Sequence, residues 1–143
     1  STNENLNKLK TLMKMLVTRN GEILTTLEEE NLNRAVESVM RFPIEDRQYG
    51  ISLVLEHLTE GSDETNSMKS RLNLWKSGNK FGWVFDNAID NFKFDNDEIN
   101  IYGIDGTDLL ANAEVNGVVS FYILWRICSV WDGRRYACFI DEA

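Results

Sequence analysis

Apolar residues recur at spacings of three and four through the first half of the chain, and the spacing predicts four helices. Leu6, Leu9, Leu12, Met13, Leu16 and Val17 form one stripe, closed by Asn20-Gly21. Leu32, Ala35, Val36, Val39 and Met40 form a second, opened by the capping-box sequence Thr26-Leu27-Glu28-Glu29. Pro43, the only proline, breaks the chain just after it. A third stripe, Ile51, Val54, Leu55 and Leu58, stops at Gly61; a short fourth helix then carries Met68, Leu72 and Trp75 and ends near Gly78.

The pattern changes from there. Phe81 to Phe85 (FGWVF) and Asn100 to Ile104 (NIYGI) are short β-rich runs bounded by Asp, Asn and Gly. An amphipathic helix comes next, with Val115, Val118, Val119, Tyr122, Ile123, Arg126, Ile127 and Val130 on or near one face. Asp132-Gly133 ends it, and Tyr136 to Ile140 reads as a last strand. Strand, helix and strand at this length predict a βαβ unit and a parallel sheet. The expected fold class is α/β, with a helical subdomain or insertion over 1–78 and part of an α/β core over 79–143.

Charge narrows the function classes. Fifteen basic residues against twenty-three acidic ones give a net charge of −8, and the lysines are scattered. A surface that grips nucleic acid needs a basic patch, so direct nucleic-acid binding by this segment is not expected. No apolar run reaches the roughly 18 residues of a membrane span, and no signal peptide opens the chain, so the expected compartment is the cytoplasm. Cys128 and Cys138 sit in apolar contexts, as free buried thiols of a reducing compartment or as a single disulfide.

The strongest chemical candidate is the ending, Tyr136-Ala137-Cys138-Phe139-Ile140-Asp141-Glu142-Ala143. An apolar strand delivering an acid to the carboxyl edge of a parallel sheet can hold magnesium through Asp141 by way of water. The neighbouring Glu142 can then orient or deprotonate an attacking water. The bland alternative is a strand running into a solvated loop. The phosphate-binding partner G-x-x-x-x-G-K-[ST] is absent: the near miss Ser77-Gly78-Asn79-Lys80-Phe81 lacks the first glycine and puts Phe81 where the hydroxyl belongs. His57, the sole histidine, has no zinc-spaced partners and reads as a packing or surface residue. The acids Asp86, Asp90, Asp95, Asp97 and Glu98 do not fit a calcium loop and read as a solvated turn region.

Several stretches in order carry a resemblance. They are Arg71-Leu72-Asn73-Leu74-Trp75, Gly82-Trp83-Val84-Phe85-Asp86-Asn87, Tyr102-Gly103-Ile104-Asp105-Gly106-Thr107-Asp108-Leu109-Leu110, Asn112-Ala113-Glu114-Val115, Tyr122-Ile123-Leu124-Trp125-Arg126-Ile127, Asp132-Gly133-Arg134-Arg135 and Phe139-Ile140-Asp141-Glu142. This series resembles the TrbE/CagE/VirB family of type IV secretion and conjugative-transfer ATPases, most specifically over 66–143. Ala143 after the paired acids, Gly106 before Thr107 and Ala113 between Asn112 and Glu114 depart from the family pattern and mark a divergent branch.

The resemblance implies a RecA-like P-loop NTPase core using ATP and magnesium, with its phosphate loop upstream of Ser1. It implies an ATPase parent that powers pilus assembly or transfer of DNA or protein. It further implies other secretion subunits as partners, a hexameric parent, and a place at the inner face of the bacterial inner membrane. Asp141 and Glu142 then match the second nucleotide motif (Walker B), and the fragment alone is expected to be inactive and to hold no cofactor. Arg134 and Arg135 match a DGRR motif, either as an arginine acting in trans on the phosphoryl group or as solvation of the turn. Asp86-Asn87 and Asp105-Thr107 line the same edge or cap turns. The alternative is a non-enzymatic helical docking module for other secretion subunits. A related DNA-pumping motor fits the GWVFDN and DGRR series less well.

Overall fold

The computed structural model describes residues 2–18, 21–59, 68–92, 94, 101–130, 135 and 137–141. These form two compact units, Ser1–Ile89 and Asp90–Ala143.

The first unit is built from α1 (Thr2–Val17), α2 (Thr26–Met40), α3 (Gly50–His57) and α4 (Met68–Asn73). A 3-10 turn, Ile44–Asp46, precedes α3, and the single helical turn α5 (Gly82–Phe85) closes the unit. In the principal contacts α1 packs on α2 and α4, and α3 packs on the same two helices, so each of the four touches two neighbours. The stripes read from the sequence are the core. Leu12, Met13, Leu16 and Val17 of α1 are buried with Leu32, Ala35, Val36 and Val39 of α2, Ile51, Val54 and Leu55 of α3, and Met68 and Leu72 of α4. Burying such side chains contributes about 1.5–3 kcal/mol each before the entropy of ordering them is subtracted.

Helix ends are closed by specific groups. The capping box of α2 lies one residue earlier than its sequence suggests. Thr25 is the N-cap, its side chain accepting from the Glu28 N–H at 3.2 Å while Glu28 accepts from the Thr25 N–H at 2.8 Å. At the other end, Arg47 reaches back beyond Pro43, donating through Nε to the Phe42 carbonyl and through Nη2 to the Met40 carbonyl. These acceptors would otherwise be orphaned at a helix C-terminus.

The second unit contains α6 (Thr107–Ala111) and α7 (Asn116–Ser129), which pack together. The long amphipathic helix expected after residue 115 is α7. Its first turns bury Val118 and Val119, next to the buried Val115.

The expected α/β class is overturned: regular structure among the described residues is entirely helical, with no strand and no sheet. There is accordingly no βαβ unit and no RecA-like core among them. Phe81–Phe85 is β-rich in composition, but the Asp86 N–H donates to the Gly82 carbonyl, closing a helical turn. Gly82 permits this turn, because a Cβ there would collide with the Lys76 carbonyl. Ile101–Ile104 and Ala137–Ile140 carry no regular structure, and Ile101, Phe139 and Ile140 are exposed, as strands lacking a hydrogen-bonded neighbour would be. Cys128 and Cys138 are free and exposed, which corrects the expectation that they are buried.

Candidate functional site

The RLNLW stretch closes the C-terminus of α1. Arg71 Nε donates to the Val17 carbonyl at 2.8 Å, and Trp75 Nε1 donates to the Leu16 carbonyl at 3.0 Å. Trp75, fully buried, lies against Phe81 at 4.7 Å and Phe85 at 6.1 Å between ring centroids. These two motif residues therefore satisfy carbonyls that no intrahelical N–H reaches.

The GWVFDN stretch centres on Asp86, the only charged residue buried among those described, at 1% exposure. Its Oδ1 accepts from the Ile51 N–H at 3.0 Å and the Ser52 N–H at 3.2 Å. Its Oδ2 accepts from the Ser52 hydroxyl at 2.6 Å and the Ser77 N–H at 2.7 Å. Helix α3 has no local side-chain cap; its N-cap position is Tyr49, in the left-handed region at φ 52°. Asp86 supplies that cap from 34 residues beyond Ser52, and its charge suits the positive end of the helix. Alongside it, the Tyr49 N–H donates to the Asn87 carbonyl at 3.2 Å. Asp86 thus joins the start of α3, the turn at Ser77 and the end of α5.

The near-miss phosphate loop is taken up by the same construction. The Ser77 N–H donates to Asp86, the Asn79 N–H to the Lys76 carbonyl, and the Phe81 N–H to the Leu74 carbonyl. Phe81 is buried and Lys80 lies over its ring at 4.9 Å. Backbone donors committed this way cannot cradle a phosphate. His57 is likewise local: its Nδ1 lies 2.9 Å from the Leu53 carbonyl and its ring meets Phe42 edge-on at 5.5 Å.

The second unit holds a polar cluster that only partly shows in the sequence. Tyr122 and Arg126, one turn apart on α7, both donate to Asp90 Oδ2. Arg126 also donates to the Tyr122 hydroxyl and to the Phe92 carbonyl, each at 2.8 Å. Partial burial works against the Asp90 charge, but the Phe92 N–H and the Arg126 guanidinium outweigh it and hold the carboxyl below its usual range. Burial, with Asp90 adding to it, pushes the Tyr122 phenol up. The i, i+4 spacing of Tyr122 and Arg126 is legible in the sequence; their partner, 36 residues before Arg126, is not. Asp105 accepts from the Thr107 hydroxyl and N–H at 2.7 and 3.0 Å, an Asx-type turn opening α6, and those bonds lower its pKa.

Of the terminal candidates, Asp141 and Arg135 are exposed, in segments without regular structure. Glu142 and Arg134 lie outside the described residues. Among the described residues no three His, Cys, Asp or Glu side chains gather as metal ligands.

Comparison with known proteins identifies the class. No protein-family model matches the chain. The chain is 41% identical over 145 residues to the type IV secretion system protein virB4 of Brucella abortus, covering 94% of this chain and 17% of that protein. It is 34% identical over 148 residues to PtlC of Bordetella pertussis, and 32% identical over 142 residues to virB4 of Bartonella quintana. Each of these matches covers 99% of the chain. These are type IV secretion system proteins. Within that class the chain belongs to the VirB4/PtlC family, of which it represents one segment: it spans about a sixth of the length of the curated relatives it matches.

Proposed function

We propose that the parent of this chain is an ATPase of a type IV secretion system, driving pilus assembly or the transfer of DNA or protein across the bacterial envelope. The observation that carries the reading is the 41% identity to virB4 along 94% of the chain, together with a sequence that runs into Phe139-Ile140-Asp141-Glu142. In this reading Asp141 serves the magnesium side and Glu142 the water side of the second nucleotide motif. The phosphate loop comes from parent sequence outside these residues. Arg134 or Arg135 acts on the phosphoryl group of a neighbouring subunit in a hexamer. The parent works at the inner face of the inner membrane through other secretion subunits. No helix among the described residues is long and apolar enough to cross a membrane.

The test is Glu142→Gln in the full-length parent. Nucleotide binding should persist while hydrolysis falls by at least ~100-fold, within the range a positioned acid–base group contributes. Unchanged turnover would show that the terminal acids are structural.

A second reading has its own support. The Ser1–Ile89 unit has a closed helical core yet leaves Trp83 at 56% exposure in the middle of GWVFDN, whose Gly82, Phe85 and Asp86 all have packing or bonding roles. As a docking module for another secretion subunit, it would present Trp83 as an anchor. Trp83→Ala should then abolish secretion while leaving the parent's ATPase rate intact; loss of both would count against this reading.

A further inference from the structure

Acidic residues outnumber basic ones along the chain, with one local reversal. Residues 68–85 carry four basic side chains, Lys69, Arg71, Lys76 and Lys80, and no acid, in a chain of net charge −8. Arg71 is engaged inside the bundle, 2.8 Å from the Val17 carbonyl and 3.8 Å from Glu28. Lys76 and Lys80 are exposed instead, as are Ser77, Gly78 and Asn79 between them. The next acid along the chain, Asp86, is buried and accepts four hydrogen bonds, so it is not presented to solvent beside them.

Backbone contacts gather these lysines with Trp83. The Asn79 N–H donates to the Lys76 carbonyl at 2.9 Å, and the Gly82 N–H to the Asn79 carbonyl at 3.1 Å. Gly82 lies so close over the turn that a Cβ on it would stand 2.1 Å from the Lys76 carbonyl oxygen. Phe81 is buried against Trp75, and its ring holds the Lys80 ammonium 4.9 Å above it. Trp83, two residues on, is 56% exposed. Lys76, Lys80 and Trp83 thus stand exposed on one tight turn of backbone.

We infer that the turn over residues 76–83 docks an acidic peptide segment of another protein, with carboxylates for Lys76 and Lys80 and an apolar side chain for Trp83. Charge complementarity selects this occupant. Two lysines at the rim answer two carboxylates, speeding encounter and rejecting basic segments. Tryptophan is among the side chains that most often anchor an interface. Two exposed lysines are too few to hold a polyphosphate backbone on a chain whose overall charge repels one. They are also fewer than the roughly 4–8 clustered cations that an anionic membrane takes. This inference rests on Trp83 being a docking anchor, and adds the chemistry of what docks.

The test probes the full-length parent with an array of overlapping peptides drawn from the other subunits of its secretion system. Captured peptides should carry at least two acids beside an apolar residue, and capture should weaken with added salt. Lys76→Glu/Lys80→Glu should lower capture about tenfold, the scale of two reversed rim charges, while Lys76→Arg/Lys80→Arg should keep it. Lys76→Glu alone should lose about threefold at an unchanged melting temperature, because the structural contacts of Lys76 are made by its backbone carbonyl. Capture of neutral or basic peptides only, no capture at all, or equal capture by the doubly reversed variant would overturn the inference. So would lysine-dependent retention of a single-stranded oligonucleotide instead of acidic peptides, or a dimer in sedimentation that the doubly reversed variant dissolves. Those two results would assign the turn to nucleic acid or to a second copy. If Trp83→Ala loses capture and the doubly reversed variant keeps it, the docking reading stands and the acidic partner alone falls. If both variants capture like the wild type, both fall.

Discussion

Asp86 shows how a residue that reads in sequence as part of a solvated turn region, lining a sheet edge or capping a turn, can be buried and architectural in space. Its carboxylate is filled by Ile51, Ser52 and Ser77. Asp86→Ala leaves three backbone N–H groups at a buried point without an acceptor, and should destabilise the chain by about 3 kcal/mol in urea denaturation. Asp86→Asn should fall between, because its amide keeps one carbonyl oxygen but turns a donor toward other donors. Asp90 is the other acid with a defined environment. Its folded pKa lies below its ordinary 3.8, so its contribution to stability is complete above that value and disappears as pH falls through the folded pKa. Half the side chain is open to solvent, so screening keeps the contribution small. The protection factors of the α7 amides, taken relative to intrinsic exchange at each pH, should therefore fall on acidification only below the usual carboxylate range, and Asp90→Asn should remove that acid-dependent increment. An increment that persists in the variant would assign it to another group.

Among the elements, the helices are legible in the sequence because their signals are local. The apolar stripes of α1 to α3 and of α7, the break at Pro43 and the Thr-Leu-Glu start of α2 all act within a few residues. Even there the sequence places the cap one position late, since Thr25 and Thr26 are chemically alike and only backbone geometry selects Thr25 (φ −68°, ψ 160°). Thr25→Ala should cost about 1 kcal/mol in thermal or urea unfolding and Thr26→Ala only a few tenths. Equal losses would mean that the cap is shared. The strands are misread, because β-propensity reports a fit to a half-buried pleated surface rather than an intrinsic backbone choice. Phe81–Phe85 has the composition of a strand, but its glycine faces the Lys76 carbonyl and its phenylalanine rings face Trp75. Of the candidate site, the order of motifs is legible and the family resemblance rests on it. The roles of Arg71, Trp75 and Asp86 are not, because each bonds to backbone groups at least nine residues away.

For the molecule as a whole, the division at Ile89 sets what should survive dissection. The first unit has its hydrophobic stripes, helix caps and the Asp86 junction all within residues 1–89. A chain ended after Ile89 should unfold in one cooperative transition, with a stability within about 0.5 kcal/mol of the first unit's in the longer chain, as expected for independent regions. Residues 90–143 alone bury three valines among those described and concentrate six net negative charges, so they should show helical circular dichroism without a cooperative melting transition. Calorimetry on the two pieces decides between this asymmetry and a single interdependent fold. If the shorter chain melted broadly, or the later piece sharply, the first unit would not be the self-sufficient one, and the helical bundle would owe its order to residues beyond Ile89.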